Sequence, residues 1–203
     1  GIRICCGIIL KDGQTIIHRE EGEVLFTEYG LSGICVMQCS RFMNKEGLYF
    51  ELDLLSAIFR NQHEAIDEIK ARRARFSSQS PVMLLEGIFL PKLSYAVLKQ
   101  AGIPLRGEKA GSLSHADLEK IVRTAYHYRV EAIKTRTLED AQVTAGGVSC
   151  SEFNPKTMES RAIDGLFAAG EILNVDGDCG GYNLMFAFSS GMIAGGFRKE
   201  ELN

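Results

Sequence analysis

The sequence predicts an α+β protein with a β-rich part, a helical part and a glycine-rich end. Apolar runs that alternate or are rich in β-branched residues indicate strands in residues 1–55 and again in residues 126–145. Apolar residues recur at helical spacing between residues 56 and 125. Residues 146–203 hold 10 of the 21 glycines in little more than a quarter of the chain. The chain is therefore divided into these three regions.

The first region is predicted to begin with a hairpin. Residues 2–10 and 14–19 flank Lys11-Asp12-Gly13, and Asp-Gly is a strong signal for a tight turn between strands. A third run of strand-forming residues, 23–27, follows Gly22. These runs predict three strands.

The rest of the first region contains one ambiguous run and one clear strand. Residues 30–43 suit either a buried strand or a short helix capped by Ser32, because short apolar runs fit both structures. In the helical alternative, Val36, Cys39 and Met43 share one face. Residues 48–54 alternate well enough to predict a further strand.

Three helices are predicted in the middle region. Residues 56–76 form the first, with acidic side chains early and basic side chains late, as the helix dipole favours. The basic cluster suits a solvated helix end, with phosphate binding as the alternative. Pro91 opens the second helix and Gly102 ends it, while Ser114 begins a capping box for the third. Residues 127–138 then alternate as one long strand.

Composition excludes several classes of protein. The 203 residues include 23 basic and 26 acidic side chains, a net charge of −3, which argues against nucleic-acid partners and polybasic membrane binding. No apolar run reaches the roughly 18 residues that span a bilayer, and no signal-peptide pattern is present, so we expect a cytoplasmic protein. The chain opens on an apolar run without Met, as the interior of a longer protein would.

The cysteines and histidines do not predict a metal site. Cys35 and Cys39 share a helical spacing, but no second pair or nearby histidine completes a zinc set. We expect all the cysteines to be reduced thiols, and most of them to serve as small apolar residues. The six are Cys5, Cys6, Cys35, Cys39, Cys150 and Cys179.

The most informative pattern lies in the last region. Residues 163–171 predict a turn and a short buried strand that ends in Gly170-Glu171. A tight glycine loop at residues 176–183 follows, and residues 184–197 predict a buried helix. Strand, glycine loop and helix form a dinucleotide-site geometry, because glycines allow close backbone approach and a helix N-terminus attracts anions. The alternative is a plain tight turn before a core helix.

Several motifs resemble those of the BaiN-like flavoproteins, a family also described as aminoacetone oxidase-like or NAD(P)/FAD-dependent oxidoreductases. The resemblance extends over nearly the whole chain. Its motifs are residues 22–27 with 30–33, 144–148 (TAGGV), 154–160 (NPKTMES), 165–184 (GLFAAGEILNVDGDCGGYNL) and 189–196 (SSGMIAGG).

The resemblance implies that this chain is the C-terminal half of such a protein. Members carry an N-terminal Rossmann half with G-x-G-x-x-G, a pattern not found in this sequence. Residues 1–55 and 126–145 would be a barrel-like, mixed β substrate-side domain with residues 56–125 as an inserted helical domain. Residues 146–203 would return as a strand-loop-helix segment of the FAD domain. The missing Rossmann half is then the expected partner, and we expect this chain alone not to retain FAD.

The resemblance also assigns FAD-binding residues. Gly170 and Glu171 would lie near the ribityl chain and pyrophosphate, and Gly146, Gly147 and Val148 would approach the flavin ring. Backbone N–H groups near the isoalloxazine and pyrophosphate would come from Gly180, Gly181, Tyr182, Asn183 and Leu184. The chain departs from the family pattern at Ile34, where proline is usual, and at Asn174, where aspartate is common.

No catalytic residue is predicted. Cys179 is a candidate redox partner for a flavin, because a thiol near a helix N-terminus has a lowered pKa, but the sequence lacks a C-x-x-C pair. His127 lies in a strand pattern and is more typical of a packed or exposed histidine. The flavin itself carries most of the chemistry in such enzymes.

Two functions are left open by the sequence. In the first, the parent enzyme transfers hydride between NAD(P)H or a small organic substrate and FAD. In the second, the chain is a substrate-capping or interaction module that binds no cofactor. A homo-oligomer is a further expectation, since residues 165–197 are apolar and would be the least protected part of the chain.

Overall fold

The computed structural model describes residues 1–196, in which the chain forms two compact units, one of residues 1–134 and one that begins at Thr135. Each unit has its own hydrophobic core. The first unit contains a sheet and four helices, and the described part of the second contains short turns and one long helix.

A five-stranded antiparallel sheet forms the first unit together with its helices. Its strand order is β3-β2-β1-β4-β5, so β3 and β5 are edge strands within the described residues. We expected a barrel-like, mixed sheet; the strand pairs in the described residues are all antiparallel, so the sheet is not mixed. The strands are β1 (Ile2–Asp12), β2 (Thr15–Thr27), β3 (Gly30–Ser32), β4 (Leu48–Asp53) and β5 (Tyr128–Glu131).

The predicted N-terminal hairpin is confirmed. β1 and β2 pair along their whole lengths, and Gly13 supplies the positive φ of 55° that the turn requires. The predicted third strand at residues 23–27 is not separate, because β2 continues through Gly22 in an extended conformation with φ 159°.

The ambiguous run after β2 contains a short helix, α1 (Ile34–Ser40). Its N-cap is Gly33 rather than the predicted Ser32, which belongs to β3. Gly33 has φ 117°, and a Cβ there would lie 2.3 Å from the carbonyl oxygen of Glu23, so no other residue fits. Cys35, Val36 and Cys39 form the buried face.

The three longer helices of this unit are α2 (Gln62–Arg75), α3 (Pro91–Gln100) and α4 (His115–Tyr126). α3 begins at its predicted proline, and the capping box of Ser114 and Asp117 is present on α4. The predicted start of α2 at residue 56 is wrong. Ile58 and Phe59 instead donate to the Leu55 carbonyl in a turn, and Asn61 caps α2 by accepting from the Glu64 N–H at 2.9 Å.

Sheet and helices share one core. Ile8 and Leu52 of the sheet are fully buried in the same cluster as Ile69 of α2, Leu98 of α3 and Leu118 of α4. β4 and β5 are neighbours in the sheet although all three long helices lie between them in the sequence. The helical region therefore packs onto the sheet rather than forming a core of its own.

The predicted long strand at residues 127–138 is wrong, because β5 covers only residues 128–131. β5 pairs with β4, and the Ala132 N–H donates to the carbonyl of Leu48, the first residue of β4, at 3.0 Å. Beyond Ala132 the described chain offers no further strand for pairing, and Ile133 is exposed.

The second unit is held by a small core of Phe153, Met158 and Leu173. Its only long element within residues 135–196 is α5 (Tyr182–Ala194). The predicted buried strand before Gly170 is wrong: Leu166 and Phe167 are exposed, and only an isolated bridge joins Phe167 to Glu159. No neighbouring strand is available in the described part of this unit to pair with it.

The predicted burial of the C-terminal helix is also wrong. Ser190 is the only fully buried residue of α5, whereas Tyr182 and Phe188 are 57% and 71% exposed. The helix begins two residues earlier than predicted, and its predicted end at residue 197 lies outside the described residues.

The described residues contain neither a membrane-spanning helix nor a cluster of metal ligands. No helix between residues 1 and 196 combines the length and apolarity needed to cross a membrane. The same residues contain no group of three or more Cys, His, Asp or Glu side chains that could hold a metal ion. The six cysteines are free thiols.

Candidate flavin site

The glycine segment around residue 147 pairs with the chain just after Gly170. The Val148 N–H donates to the Ile172 carbonyl at 2.8 Å, and the Val148 carbonyl accepts from the Asn174 N–H at 2.8 Å. A Cβ on Gly147 would lie 2.6 Å from the Ile172 carbonyl oxygen. Gly147 is therefore required by backbone packing. These bonds place two of the predicted segments side by side.

Glu171 forms a second connection between the same segments. Its Oε1 accepts the Thr144 N–H at 2.8 Å and the Thr144 hydroxyl at 3.0 Å. These two hydrogen bonds, the backbone one first, lower the pKa of the Glu171 carboxyl below its ordinary value. The side chain predicted to bind the ribityl chain thus already holds the start of the TAGGV motif.

Gly170 connects this pair of segments to α5. It has φ 72°, and its N–H donates to the Ser190 hydroxyl at 2.9 Å. A Cβ at residue 170 would lie 3.5 Å from the Cβ of Ala187, so the turn lies against the middle of the helix. Ser190 in turn donates to the Phe186 carbonyl at 2.6 Å.

The glycine loop before α5 is fixed by Asn183. The Asn183 amide accepts from the Gly177 N–H at 2.7 Å and donates to the Gly177 carbonyl at 3.0 Å. This pair of bonds ties the loop to the first turn of α5. Asn183 therefore has a structural role whatever ligand its backbone binds.

The N-terminus of α5 has the features of an anion-binding helix end. Its N-cap is Gly181, in the left-handed conformation with φ 93°, and no side chain caps the helix. Gly180 also has a positive φ, 139°. The N–H groups of the first turn and the positive end of the helix dipole favour a phosphate at such a position.

Two glycines border open space as a ligand cradle would. No atom lies within 4 Å of a Cβ built at Gly146 or at Gly181, and both have a positive φ. Glycine is required there by conformation, not by packing, and its missing side chain leaves room for close approach to the backbone. The backbone at these two residues is open to a cofactor such as FAD.

All the predicted FAD-binding residues lie in the second unit, but not all of them contact one another. Gly147 and Val148 contact the segment after Gly170, and Gly170 contacts α5 at Ala187 and Ser190. Tyr182, Asn183 and Leu184 begin that helix, three to five residues or about 5–8 Å along its axis before Ala187. Tyr182 and Leu184 are exposed.

The candidate redox and base residues do not form a catalytic group within the described residues. Cys179 is partly exposed and precedes the N-cap of α5. All four histidines lie in the first unit. His127 is the C-cap of α4 and not a strand residue, and its Nδ1 lies 3.1 Å from Glu51 Oε1.

The predicted basic cluster of α2 is engaged in the fold. Arg72 Nε donates to Glu68 Oε1 at 2.6 Å, and Arg73 donates to the Leu113 carbonyl at 2.9 Å. These contacts occupy two of the four basic side chains and favour the predicted helix end over phosphate binding.

Sequence reasoning did not identify the Ser190 hydroxyl as a hydrogen-bond partner of the Gly170 turn. It is 1% exposed, and it lies in a helix whose other residues are almost all apolar or glycine. A hydroxyl at such a position is the signal that could have indicated a buried partner, here the Gly170 N–H.

The match to a protein family decides the affiliation of the chain. The model of the HI0933-like protein Rossmann domain matches residues 9–197. The chain belongs to the HI0933-like family. The resemblance to BaiN-like FAD-dependent oxidoreductases is thereby confirmed.

Three characterised relatives extend the comparison. A 3-dehydro-bile acid delta(4,6)-reductase of Clostridium scindens is 35% identical over 96% of this chain and 48% of its own length. Ribosomal RNA dihydrouridine synthases of Haemophilus influenzae and Escherichia coli are each 33% identical over 83% and 87% of this chain, and over 40% and 43% of their own lengths. The chain thus spans about half the length of the curated relatives it matches.

Proposed function

We propose that this chain is the C-terminal part of an FAD-dependent reductase and that residues 135–196 supply one wall of the FAD site. The family match across residues 9–197 carries the proposal. The glycine segments of the second unit support it, because they are joined by hydrogen bonds and border open space at Gly146 and Gly181.

Each segment has a role in holding FAD. The N–H groups at the start of α5, from Gly180 to Leu184, bind the pyrophosphate. Gly146, Gly147 and Val148 would lie along the flavin ring, where the missing side chain of Gly146 leaves room for it. Glu171 directs its second carboxylate oxygen, Oε2, to a ribityl hydroxyl while Oε1 holds Thr144. FAD supplies the hydride-transfer chemistry when bound, and the chain positions it.

The relatives indicate the class of substrate. One relative is a delta(4,6)-reductase of a 3-dehydro-bile acid, and two others make dihydrouridine. Both products arise by reducing a ring carbon–carbon double bond conjugated to a carbonyl group. We assign the same chemistry to the parent of this chain, with NAD(P)H as the electron source.

A small ring substrate is favoured over RNA. The chain has a net charge of −3, and proteins that bind RNA phosphates usually carry a basic surface. The basic side chains Arg72 and Arg73 of α2 are already bound to Glu68 and the Leu113 carbonyl. Ring enones without phosphates suit this charge balance better.

The exposed apolar face of α5 supports the proposal that another part of the protein completes the site. Tyr182, Leu184, Met185 and Phe188 are all more than half exposed, and apolar patches of this kind usually contact another surface. The chain spans about half of its relatives. We propose that the parallel sheet of a Rossmann half, the predicted partner, covers this face and completes the FAD site.

The experiment uses the complete protein that carries this chain. Its flavin is reduced with NAD(P)H without oxygen, and the visible absorption band of the oxidised flavin is followed after adding a steroid 4,6-dien-3-one or a uridine-containing RNA. We expect the band to return with the steroid only. If the band returned with RNA alone, RNA would replace the ring enone as the proposed substrate. A protein that holds no flavin would favour the alternative, a substrate-capping module without cofactor.

A further inference from the structure

Ser190 is the one buried residue of the mostly apolar helix α5. Its side chain is enclosed, with 1% of the residue exposed, and it faces the turn at Gly170. The hydroxyl accepts the Gly170 N–H at 2.9 Å and donates to the Phe186 carbonyl at 2.6 Å, one helical turn before it. Its hydrogen bonds are therefore used inside the second unit.

Gly170 needs this partner because of its place in the turn. It is the first residue of a one-turn 3₁₀ helix, Gly170–Ile172, so its N–H has no acceptor within that helix. The residue is buried, and a buried N–H without an acceptor is costly. An alanine at residue 190 would remove the acceptor and leave the rest of the packing almost unchanged.

The turn that Ser190 holds is the attachment point of the TAGGV motif. Glu171 accepts both hydrogen bonds from Thr144, and the Ile172 carbonyl accepts from the Val148 N–H. Displacing Gly170 would move both acceptors together, since they follow it directly in the chain. The position of residues 144–148 thus depends on α5 through three consecutive residues of one turn.

We propose that Ser190 is a positioning residue for the candidate FAD site: its hydroxyl fixes the Gly170 turn on α5 and thereby sets the conformation of residues 144–148. This inference rests on the proposed function for its relevance to FAD. Ser190 itself does not touch the ligand in this proposal. It acts through Gly170, Glu171 and Thr144.

Amide hydrogen exchange on the 203-residue chain tests the structural part without FAD. In Ser190→Ala, the Gly170, Thr144 and Val148 amides should exchange about fivefold faster or more, because Gly170 loses its acceptor and the acceptors of Thr144 and Val148 move with it. Ser190→Thr, which keeps the hydroxyl, should restore slow exchange. Ser189→Ala is the matched control, since Ser189 is an exposed neighbour on the same helix. Unchanged Thr144 and Val148 amides in Ser190→Ala would overturn the proposal.

FAD binding to the complete protein, followed by quenching of flavin fluorescence, tests the functional part. Ser190→Ala should weaken binding about tenfold and shift the flavin visible band, whereas Ser189→Ala should match the unaltered protein. Equal affinity and an unshifted band in Ser190→Ala would overturn the functional part. If the unaltered protein binds no FAD, the proposed function fails and hydrogen exchange alone decides the role of Ser190.

Should Ser190→Ala fail to fold, hydrogen exchange on the unaltered chain still tests the proposal. A Gly170 amide that exchanges no more slowly than the Glu171 amide would contradict it.

Discussion

One oxygen of the Glu171 carboxylate accepts both the N–H and the hydroxyl of Thr144, at 2.8 and 3.0 Å. The two residues are 27 positions apart in the chain, so this contact joins the TAGGV motif to the Gly170 turn. A carboxylate held in this way also makes the contact sensitive to pH.

The Thr144 contact should weaken only in acid. Its hydrogen bonds lower the pKa of Glu171 below the ordinary 4.5, so they are complete above pH 4.5 and are lost as the pH falls through the lower folded value. We expect the Thr144 amide signal in NMR to titrate with a midpoint below 4.5. Glu171→Gln should abolish that titration. A midpoint above 4.5 would contradict the contact.

Gly147 and Gly146 are neighbours with different constraints. An alanine at residue 147 would place its Cβ 2.6 Å from the Ile172 carbonyl oxygen, and the residue has φ 136°. Gly147→Ala should therefore destabilise the second unit by more than about 2 kcal/mol, because strain and a backbone clash act together. Gly146→Ala meets open space and should cost only about 1–2 kcal/mol from its positive φ. Thermal unfolding measures the stability of both variants. Equal losses of stability would contradict the close packing of Gly147 against Ile172.

Lys11 and Glu51 form a half-buried ion pair in the sheet of the first unit. Their charged groups are 2.8 Å apart, and each side chain is 16% exposed. Burial by itself raises the pKa of Glu51, but hydrogen bonds from Lys11 and His127 outweigh it and leave the pKa lowered. Lys11→Met should lower the free energy of unfolding by about 1–2 kcal/mol at pH 7, because the Glu51 carboxylate loses one of its two side-chain partners and keeps only His127.

The sign of the pH dependence follows from the lowered pKa of Glu51. The ionised Glu51 carboxylate contributes to the free energy of unfolding above its ordinary pKa of 4.5. That contribution is lost as the pH falls through the lowered pKa of Glu51 in the folded protein. Urea unfolding should therefore show a smaller difference between Lys11→Met and the unaltered chain at pH 3 than at pH 7. Arg3→Met is the control: its pair with Glu23 is exposed, 69% and 53%, and its loss should cost less than about 0.5 kcal/mol. If Lys11→Met and Arg3→Met lost similar free energies of unfolding at pH 7, the buried pair would not be stronger than the exposed pair.

Gln100 of α3 covers the outer edge of β5. Its amide donates to the Arg129 carbonyl at 2.8 Å and accepts from the Arg129 N–H at 2.9 Å, as a neighbouring strand would. Gln100→Ala should speed exchange of the Arg129 amide and destabilise the chain by about 1 kcal/mol. Lys99→Ala, at an exposed position beside it, should change neither quantity. If the Arg129 amide exchanged at the same rate in all three proteins, Gln100 would have no role at the edge.

Local signals in the sequence determined which elements could be predicted. Pro91 and Ser114 begin α3 and α4 because a proline at the first turn and a capping box act within a few residues. The start of α2 was missed because Ile58 and Phe59 fit the helical period yet form a turn on Leu55. The cap at Asn61 was the stronger signal.

Non-local pairing explains most of the remaining errors. The length of β5 depends on where β4 begins, at Leu48, and nothing within residues 127–138 encodes that. Residues 166–169 have strand-like composition but no neighbouring strand in the described second unit. At the candidate site, the glycines were identified from sequence. The close packing of Gly147 and the open space at Gly146 came only from the structure.

The most direct test of the account compares FAD binding by the complete protein with that of two glycine variants. Gly181 and Gly165 both have positive φ and open space around a Cβ, but only Gly181 caps α5. We expect the unaltered protein and Gly165→Ala to bind FAD alike, and Gly181→Ala to bind about tenfold more weakly, since its methyl group would occupy the proposed phosphate position. Equal affinity in all three, or no binding by the unaltered protein, would contradict the FAD site.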